Sequence, residues 1–351
     1  MQPQPITSEP PLLRRLQSLC RGAELPGLAG RLGDLADLVA ADLVAVNAAI
    51  PRLRPEASAV ERSASHLLDL GGKRLRPMCV SLAARLGTGF DARAAELAVA
   101  VELVHAATLL HDDVVDLGRT RRGAPTARLI FGNAVSIFAG DWLLVDALKR
   151  VRTANVDGLL ERLLDVLDEM ILAESLQLER RGRLDTTAAQ WLAIAEGKTA
   201  ALFRWAMYAG ARTGGLDADV CEVLERFGAD LGVAFQATDD LLDLAGDPAD
   251  TGKALFTDLR EGKLTYPMIL SLERDHGLAD LIEAIVNEDA PEPARYREAL
   301  ARIERTGSLA DARQLAEEHA ERAKRAVREL PASRARAALE TVADATVHRP
   351  A

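Results

Sequence analysis

Two acidic pentads of the same form, Asp-Asp-x-x-Asp, occupy residues 112–116 and 239–243, each within a long apolar stretch with helical spacing. On a helix, residues four apart lie one turn apart on one face, so the first and last aspartates of each pentad point the same way. Carboxylate oxygens at this spacing suit Mg²⁺, which keeps several waters and is held by one or two carboxylates together with substrate phosphates. The sequence therefore predicts a diphosphate-binding pocket between two acidic helices.

The alternative for a single pentad is a solvated helix face, since the chain has 53 acidic residues. Two pentads, each preceded by an apolar run, instead favour buried carboxylates, which proteins rarely tolerate without a partner. Zinc is the weaker candidate ion, because zinc sites favour Cys and His, and the sequence has neither a Cys-x-x-Cys nor a His-x-x-x-His arrangement. His105 lies two helical turns before Asp112 on the same face, which favours a substrate contact. His111 faces elsewhere and is predicted to be packed and hydrogen-bonded.

Basic residues that could neutralise a diphosphate lie close to the pentads. Residues 71–77 read Gly-Gly-Lys-Arg-Leu-Arg-Pro, in which the glycines allow a turn and Pro77 suits the start of a helix. Arginines follow the first pentad, and Gly123 with Pro125 is predicted to end that helix. Arginine matches phosphate oxygens with a planar fork, whereas lysine acts as a point charge. The candidate phosphate-binding residues are Lys73, Arg74, Arg76, Arg119, Arg121, Arg122, Lys198, Thr199, Lys253 and Lys263.

Short segments of the chain resemble, in the same order, those of the trans-isoprenyl diphosphate synthases, and among them the long-chain all-trans-polyprenyl (octaprenyl) type. The resemblance implies an all-α fold, a single-domain helical bundle of the isoprenoid-synthase type around a central cavity. The matching segments are residues 71–77, 101–105, 111–113, 121–126, 131–133, 139–141, 197–200, 235–239 and 258–263.

The resemblance also implies a role for each candidate residue. The diphosphate of isopentenyl diphosphate would be held by Lys73, Arg76, His105 and Arg122. The allylic diphosphate would be surrounded by Arg121, Lys198, Thr199, Gln236, Lys253 and Lys263. Three Mg²⁺ ions per active site would have as direct ligands Asp112, Asp116 and Asp239. The aspartates that would orient these ligands or reach the ions through water are Asp113, Asp240 and Asp243. The residues implied in catalysis are Asp112, Asp116, Lys198, Thr199, Gln236 and Asp239.

The implied reaction is a prenyl transfer. Ionisation of the allylic carbon–oxygen bond needs stabilisation of the departing diphosphate, which Mg²⁺, Lys and Arg supply where the charge develops. The double bond of isopentenyl diphosphate then attacks the allylic cation, and loss of a proton gives a product one isoprene unit longer. The departed diphosphate is the expected proton acceptor, with Thr199 and Gln236 stabilising nearby charge. Water would quench the cation, so an apolar chamber is predicted.

The residues one turn before the first pentad bear on product length. Ala107 and Thr108 are small, whereas relatives that stop at short products often carry an aromatic residue there, so the resemblance implies an open tunnel. Val104 and Val101 would line its wall, since one helical turn of about 5.4 Å is similar to the advance per isoprene unit. We expect a product of octaprenyl to decaprenyl length, used for quinone side chains, with the tunnel floor supplied by a helix predicted over residues 156–181. The alternative is that the small residues only permit tight helix packing.

Three other functions share part of this pattern. A short-chain synthase making farnesyl or geranylgeranyl diphosphate has the same catalytic motifs, and only the small residues before the first pentad argue against it. A terpene cyclase usually lacks the second pentad and needs no second diphosphate site such as Lys73, Arg76 and His105 would form. A non-catalytic regulatory homologue tends to lose acidic ligands, and both sets are complete here.

Length and composition agree with one helical domain. The 351 residues are 48% hydrophobic and 4% aromatic, so the chain can bury a large core, and alternating strand patterns are scarce. Residues 1–30 contain five prolines and are predicted to be a flexible N-terminal arm. Residues 31–351 are predicted to form the polyprenyl synthase helical domain, with Leu35–Ile50 as its first firm helix.

Charge and cysteine content exclude several classes of protein. The net charge of −10 argues against nonspecific nucleic-acid binding. Three widely spaced cysteines are typical of a reduced cytoplasmic protein, and we expect neither a signal segment nor an apolar run long enough to span a bilayer. We expect at most peripheral membrane contact, for release of a long product. The resemblance further implies a homodimer.

Overall fold

A computed structural model of the protein describes residues 26–51, 56–246, 255–288 and 292–348. The all-α prediction is confirmed: helices dominate the described residues, and a single two-stranded sheet accompanies them there. Lys253, Cys20 and most of the predicted N-terminal arm lie outside the described residues.

The first half of the described chain contains seven helices and the two short strands. They are α1 (Pro26–Ala49), α2 (Ala59–Asp69), α3 (Leu75–Ala84), α4 (Ala92–Val115), β1 (Thr120–Arg121), β2 (Ala124–Pro125), α5 (Ala127–Phe131), α6 (Asn133–Ala154) and α7 (Leu159–Glu179). Helix α1 begins before the predicted first helix and includes residues 26–30, which were assigned to the arm.

The second half of the described chain contains a π-helix between shorter and longer α-helices. Its elements are α8 (Ala188–Ile194), the π-helix (Ala195–Ala200), α9 (Ala201–Thr213), α10 (Ala218–Ala245), α11 (Thr257–Arg260), α12 (Tyr266–Arg274), α13 (Leu278–Asn287), α14 (Pro293–Thr306), α15 (Ser308–Arg328) and α16 (Arg334–Val347).

The described residues fall into two compact units. Unit 1 contains those up to Leu163 together with Trp205–Glu225 and Ala326–Val342. Unit 2 contains Leu164–Arg204 and the described residues within Arg226–Arg325 and from Ala343 onward. The first acidic pentad belongs to unit 1 and the second to unit 2.

Helix α4 is the central helix of unit 1. Its residues are buried on nearly every side, and it packs against α6, α3 and α1. One helix of the described residues, α4, is long and apolar enough to cross a membrane by length and composition. However, 67% of its most apolar window is buried inside the protein, as in the core helix of a folded domain.

The segment after the first pentad differs from the prediction. Helix α4 ends at Val115, and the arginines that follow lie on a β-hairpin rather than on an extension of the helix. Arg122 and Gly123, at its two-residue turn, have positive φ angles of 53° and 77°. Such a pair forms the tight turn that suits the twist of a two-stranded hairpin. The prediction that Gly123 with Pro125 ends the helix is therefore wrong, because these residues belong to the hairpin.

Unit 2 contains an apolar cluster that supports the second pentad. It joins Trp191 of α8, the first and last residues of the π-helix, and Ala237 of α10. Gly232 of α10 permits the close approach, because a Cβ at that position would lie 2.3 Å from the Cα of Ala200. The π-helix and the helix carrying the second pentad are thus in backbone contact.

Candidate active site

The basic candidates of unit 1 converge on His105. Helix α4 carries His105, the start of α3 carries Arg76, and the hairpin carries Arg121 and Arg122. Burial lowers the pKa of His105 well below its usual value near 6.5, and the positive charges of these arginines and Arg74 lower it further. His105 is therefore uncharged at neutral pH and can contact a diphosphate as a hydrogen-bonding group. Lys73 is exposed just before α3.

A buried carboxylate, Glu102, lies within this basic cluster. It forms an ion pair with Arg74, whose Nε also donates to Asn47 Oδ1 at 2.9 Å. A Cβ added at Gly72 would lie 3.0 Å from Glu102 Oε1 and 3.3 Å from Arg122 Nη2, so the three residues are neighbours. The single negative charge of Glu102 offsets part of the positive charge around it, because a buried charge requires a nearby partner.

The first pentad is tied to the hairpin through Asp113. This aspartate is 2% exposed, and its Oδ1 accepts from Arg121 Nε at 2.9 Å and lies 2.8 Å from Arg121 Nη2. Its Oδ2 is buried and has no hydrogen-bond partner among the described residues. Asp112 and Asp116 are half-buried and lie one turn apart, since the backbone N–H of Asp116 donates to the carbonyl of Asp112 at 2.8 Å.

The second histidine near the first pentad, His111, contacts residues of α6. His111 Nε2 lies 3.1 Å from the carbonyl oxygen of Ile137 and 3.3 Å from Asp141 Oδ1. The prediction that His111 is packed and hydrogen-bonded is confirmed.

The residues predicted to control product length lie in the core part of α4. Ala107 is 2% exposed, and Thr108 is half-buried with its hydroxyl donating to the His105 carbonyl at 2.9 Å. Val104 and Val101 are fully buried. Because the Thr108 hydroxyl donates to the backbone of its own helix, its hydrogen is not available to the surroundings, as the wall of an apolar chamber requires.

In unit 2, the π-helix brings two of the candidates next to a third on α10. Lys198 forms an ion pair with Glu174 and donates to Gln177 Oε1 at 2.8 Å. The Thr199 hydroxyl donates to Gln236 Oε1 at 2.8 Å. A π-helical turn inside an α-helix is uncommon and frequently marks a functional site.

Asp240 of the second pentad is buried and surrounded by uncharged donors. Its Oδ1 accepts from Gln236 Nε2 at 2.9 Å, and its Oδ2 accepts from Trp191 Nε1 and the Tyr266 backbone N–H, each at 2.8 Å. Burial raises the pKa of Asp240 to about 7, and the charge of Asp258 raises it too. The charged form of Asp240 is thus disfavoured first by burial and then by a neighbouring carboxylate.

The rest of the second pentad adds to this acidic centre. Asp243 is buried and its Oδ1 accepts from the backbone N–H of Thr257 at 2.9 Å, at the start of α11. Burial raises the pKa of Asp243, as does the charge of Asp258, and its Oδ2 has no hydrogen-bond partner among the described residues. Asp239 is half-buried on the same helix, and Lys263, beyond α11, pairs with Glu261 at 2.8 Å.

The sequence profile of the polyprenyl synthetase family matches residues 57–303, which include both pentads and the described basic candidates. The chain belongs to this family. Members transfer prenyl groups between diphosphates, and the protein is a prenyltransferase enzyme.

Relatives and a solved structure extend this match over most of the chain. The octaprenyl diphosphate synthase of Escherichia coli is 34% identical over 317 residues, which are 89% of this chain and 97% of that protein. The nonaprenyl diphosphate synthase of Mycobacterium tuberculosis is 33% identical over 325 residues, 90% of this chain and 96% of that protein. The polyprenyl synthase of Caulobacter crescentus, solved with calcium and isoprenyl diphosphate, is 36% identical with a TM-score of 0.83, covering 99% of this chain and all of that one.

The side chains present fit the magnesium that this family uses. Among the described residues, no group of three or more His, Cys, Asp or Glu side chains is already arranged to hold a metal ion. Paired aspartates that leave the remaining positions to diphosphate oxygens and water are nevertheless the usual magnesium mode. The buried, unpartnered oxygens of Asp113 and Asp243 and the raised pKa of Asp240 mark places where positive charge would be stabilising.

Several polar residues of the two centres were not predicted from the sequence. Glu102 lies in the matching segment 101–105, but no function is predicted for it from the sequence. An acidic residue within an apolar run does indicate a buried charge. Asp258 likewise belongs to a matching segment without a predicted role, whereas Glu174 and Gln177 lie among other polar residues whose spacing does not separate them from a solvated surface. Trp191 looks like an ordinary core residue in the sequence.

Proposed function

We propose that the enzyme condenses isopentenyl diphosphate with an allylic diphosphate by magnesium-assisted ionisation and head-to-tail elongation. The observation that supports this most strongly is the contrast in charge between the two polar centres. A basic cluster around a neutral His105 suits a diphosphate, and an acidic cluster around Asp240 suits divalent ions.

The basic cluster of unit 1 is proposed to bind the diphosphate of isopentenyl diphosphate through Lys73, Arg76, His105 and Arg122. Arginine forks give oriented hydrogen bonds to phosphate oxygens, and Glu102 keeps the cluster from repelling itself before the substrate arrives. A neutral His105 adds a hydrogen bond without adding charge. Isopentenyl diphosphate is the nucleophile, so its carbon–oxygen bond must stay intact while basic side chains and a neutral histidine hold its diphosphate.

The allylic diphosphate is proposed to contact Arg121, Lys198, Thr199, Gln236, Lys253 and Lys263. When bound, three Mg²⁺ ions held by Asp112, Asp116 and Asp239 would supply Lewis-acid stabilisation of the departing diphosphate. Asp113 holds Arg121 beside the first pentad. Asp240 accepts from the first backbone N–H of α12, and Asp243 accepts from the first backbone N–H of α11. Lys198 is held by Glu174 and Gln177 at the edge of the π-helix, within reach of an incoming phosphate.

Proton removal after condensation is assigned to the departed diphosphate, because neither described centre provides a well-placed side-chain base. Both oxygens of Asp240 accept hydrogen bonds, and Asp243 Oδ1 accepts from the backbone N–H of Thr257. The Thr199 hydroxyl and the Gln236 amide form a connected pair whose dipoles can stabilise the allylic cation.

The proposed product is a long all-trans-polyprenyl diphosphate of octaprenyl to decaprenyl length, suited to quinone side chains. The small, buried Ala107 and the self-bonded Thr108 support this over a short farnesyl or geranylgeranyl product. The tunnel floor is proposed to come from α7, whose Leu159 and Leu163 are fully buried. The nonaprenyl and octaprenyl diphosphate synthases among its relatives support the same product length.

We further propose a cytoplasmic homodimer with at most peripheral membrane contact during product release. Exposed apolar side chains on α5 and α6 support a protein interface, because monomers rarely expose large apolar patches. These residues are Leu129 (48% exposed), Ile130 (49%), Ile137 (41%), Phe138 (60%) and Val145 (47%). Light scattering of the purified protein tests the dimer, and the variant Phe138→Glu should shift it toward monomer.

The decisive experiment is incubation with farnesyl diphosphate, labelled isopentenyl diphosphate and Mg²⁺, followed by chromatography of the dephosphorylated alcohols. We expect label in octaprenyl to decaprenyl alcohols, and none when Mg²⁺ is chelated. Label that stops at geranylgeraniol would contradict the long product, and absence of any elongated alcohol would contradict the function itself.

A further inference from the structure

Trp191 has no part in the proposed function, yet its side chain contacts the second pentad. It lies on α8, 5% exposed, and its Nε1 donates to Asp240 Oδ2 at 2.8 Å. A capping box at the start of α8, formed by Thr187 and Gln190, fixes the helix one turn before the indole. The donor is therefore placed by secondary structure and packing.

Asp240 links Trp191 to the catalytic pair proposed above. The carboxylate accepts from Trp191 on one oxygen and from Gln236 Nε2 on the other, at 2.9 Å. This fixes the orientation of the Gln236 amide, because the opposite orientation would bring its oxygen against the carboxylate. The Gln236 oxygen is then directed at the Thr199 hydroxyl, 2.8 Å away.

The indole is held rigidly enough to set this chain of hydrogen bonds. Its ring packs against Tyr266 with centroids 4.8 Å apart and planes at 49°, inside the apolar cluster of unit 2. The backbone N–H of Tyr266 donates to the same Asp240 oxygen at 2.8 Å. Both donors are uncharged, so they orient the carboxylate without cancelling the negative charge that the pentad offers to divalent ions.

We propose that Trp191 is a positioning residue for the elongation reaction, acting through Asp240 to fix the Gln236 amide and the Thr199 hydroxyl. The inference rests on the proposed function, in which that pair stabilises charge at the allylic carbon. Trp191 itself contacts no substrate in this scheme, so its removal should affect the chemical step and leave diphosphate binding largely intact.

The test is the variant Trp191→Phe, which removes the N–H donor and keeps an aromatic ring. We expect kcat to fall about tenfold, the scale of one lost hydrogen bond to a charged group. KM for each diphosphate should change by less than about twofold, since the loss is confined to the transition state. A merely structural role would lower the amount of active enzyme or raise both KM values.

Two further variants separate positioning from packing. Trp205 of unit 1 is also fully buried, and its indole donates to the Leu159 carbonyl at 3.3 Å, so Trp205→Phe is a matched loss of a buried indole donor. We expect Trp205→Phe to keep the wild-type kcat. When Gln236→Ala is already present, adding Trp191→Phe should lower kcat by less than about twofold, because residues that act through one another are not additive.

The proposal is overturned if Trp191→Phe keeps wild-type kcat, if Trp205→Phe loses as much, or if Trp191→Phe costs the same factor with and without Gln236. Should Trp191→Phe fail to fold, the tryptophan analogue benzothienylalanine can replace Trp191, because it lacks the N–H and keeps the ring shape. The other two tryptophans of the chain, at positions 142 and 205, are changed to Phe so that only position 191 carries the analogue. The same tenfold loss is then expected, and wild-type turnover would overturn the proposal. A wild-type protein without elongation activity would instead refute the proposed function.

Discussion

The two pentads have the same pattern of aspartates, but their second aspartates have opposite surroundings. Asp113 in unit 1 is held by the charged fork of Arg121 at 2.8–2.9 Å. Among the described residues, Asp240 in unit 2 accepts hydrogen bonds from three uncharged donors, namely Trp191, Gln236 and the backbone amide of Tyr266. The third aspartates differ as well. Asp116 is half-buried and lies at the C-terminal end of α4, whereas the side chain of Asp243 is buried and accepts from the first backbone N–H of α11.

This difference shows that neighbouring residues determine the partners and pKa values of two copies of one motif. In unit 1 Asp113 pairs with Arg121, and burial together with the charges of the neighbouring arginines lowers the pKa of His105. In unit 2 burial raises the pKa of Asp240 to about 7, and the charge of Asp258 raises it too. The basic cluster of unit 1 is suited to hold one diphosphate directly, whereas the aspartates of both pentads are proposed to hold the other through cations.

The largest effect is expected from removing a proposed metal ligand in either unit. Asp112→Asn and Asp239→Asn should each lower turnover at least about a hundredfold, because each weakens stabilisation of the departing diphosphate. Radiolabel incorporation at saturating Mg²⁺ measures the loss. Asp185→Asn is the matched control, since that carboxylate is exposed and pairs with Arg180 and Arg183, which have no role in the proposed site. Full activity of both pentad variants would refute the metal assignment.

The second test separates the two second aspartates by their kinetics. Asp113→Asn frees Arg121, so KM for the allylic diphosphate should rise about tenfold with a smaller change in kcat. Asp240→Asn disturbs the Gln236 amide, so kcat should fall about tenfold with a smaller change in KM. Steady-state kinetics of the two purified variants measures both constants. If the two variants share one kinetic signature, the difference in their surroundings has no functional meaning.

The sequence predicts the helical fold, which the structure confirms, and it proposes the candidate residues, because the pentads and the glycine-bounded basic segments are local patterns. It misplaced Arg121 and Arg122, since a two-residue hairpin turn after a helix carries only a weak signal in Arg-Gly. The roles of Trp191 and Glu102 depend on contacts between residues far apart in the chain. Such contacts require the tertiary structure.

The third test concerns the residues one turn before each pentad. In α4 this position is Thr108, whereas in α10 it is Phe235, whose ring lies 5.6 Å from that of Phe203. If the growing chain runs along α4, Thr108→Phe should shorten the product by several isoprene units, since one turn of about 5.4 Å is similar to one unit. The reciprocal Phe235→Leu should leave product length unchanged. Thin-layer chromatography of the alcohols distinguishes the two outcomes, and a longer product from Phe235→Leu would place the tunnel on the other helix.

The smallest expected effect tests the neutral state of His105 through the pH dependence of stability. The pKa of His105 is lowered in the folded protein, so below about pH 6.5 the unfolded chain binds a proton that the folded chain does not. The free energy of unfolding should therefore fall with decreasing pH, by about 1.4 kcal/mol between pH 6.5 and 5.5 from this residue at most, and be insensitive to it above pH 7. Urea denaturation at several pH values should show a shallower decline for His105→Gln than for the wild type. Parallel declines would mean that burial and the neighbouring arginines do not hold His105 neutral, which would contradict its proposed role as an uncharged hydrogen-bonding group.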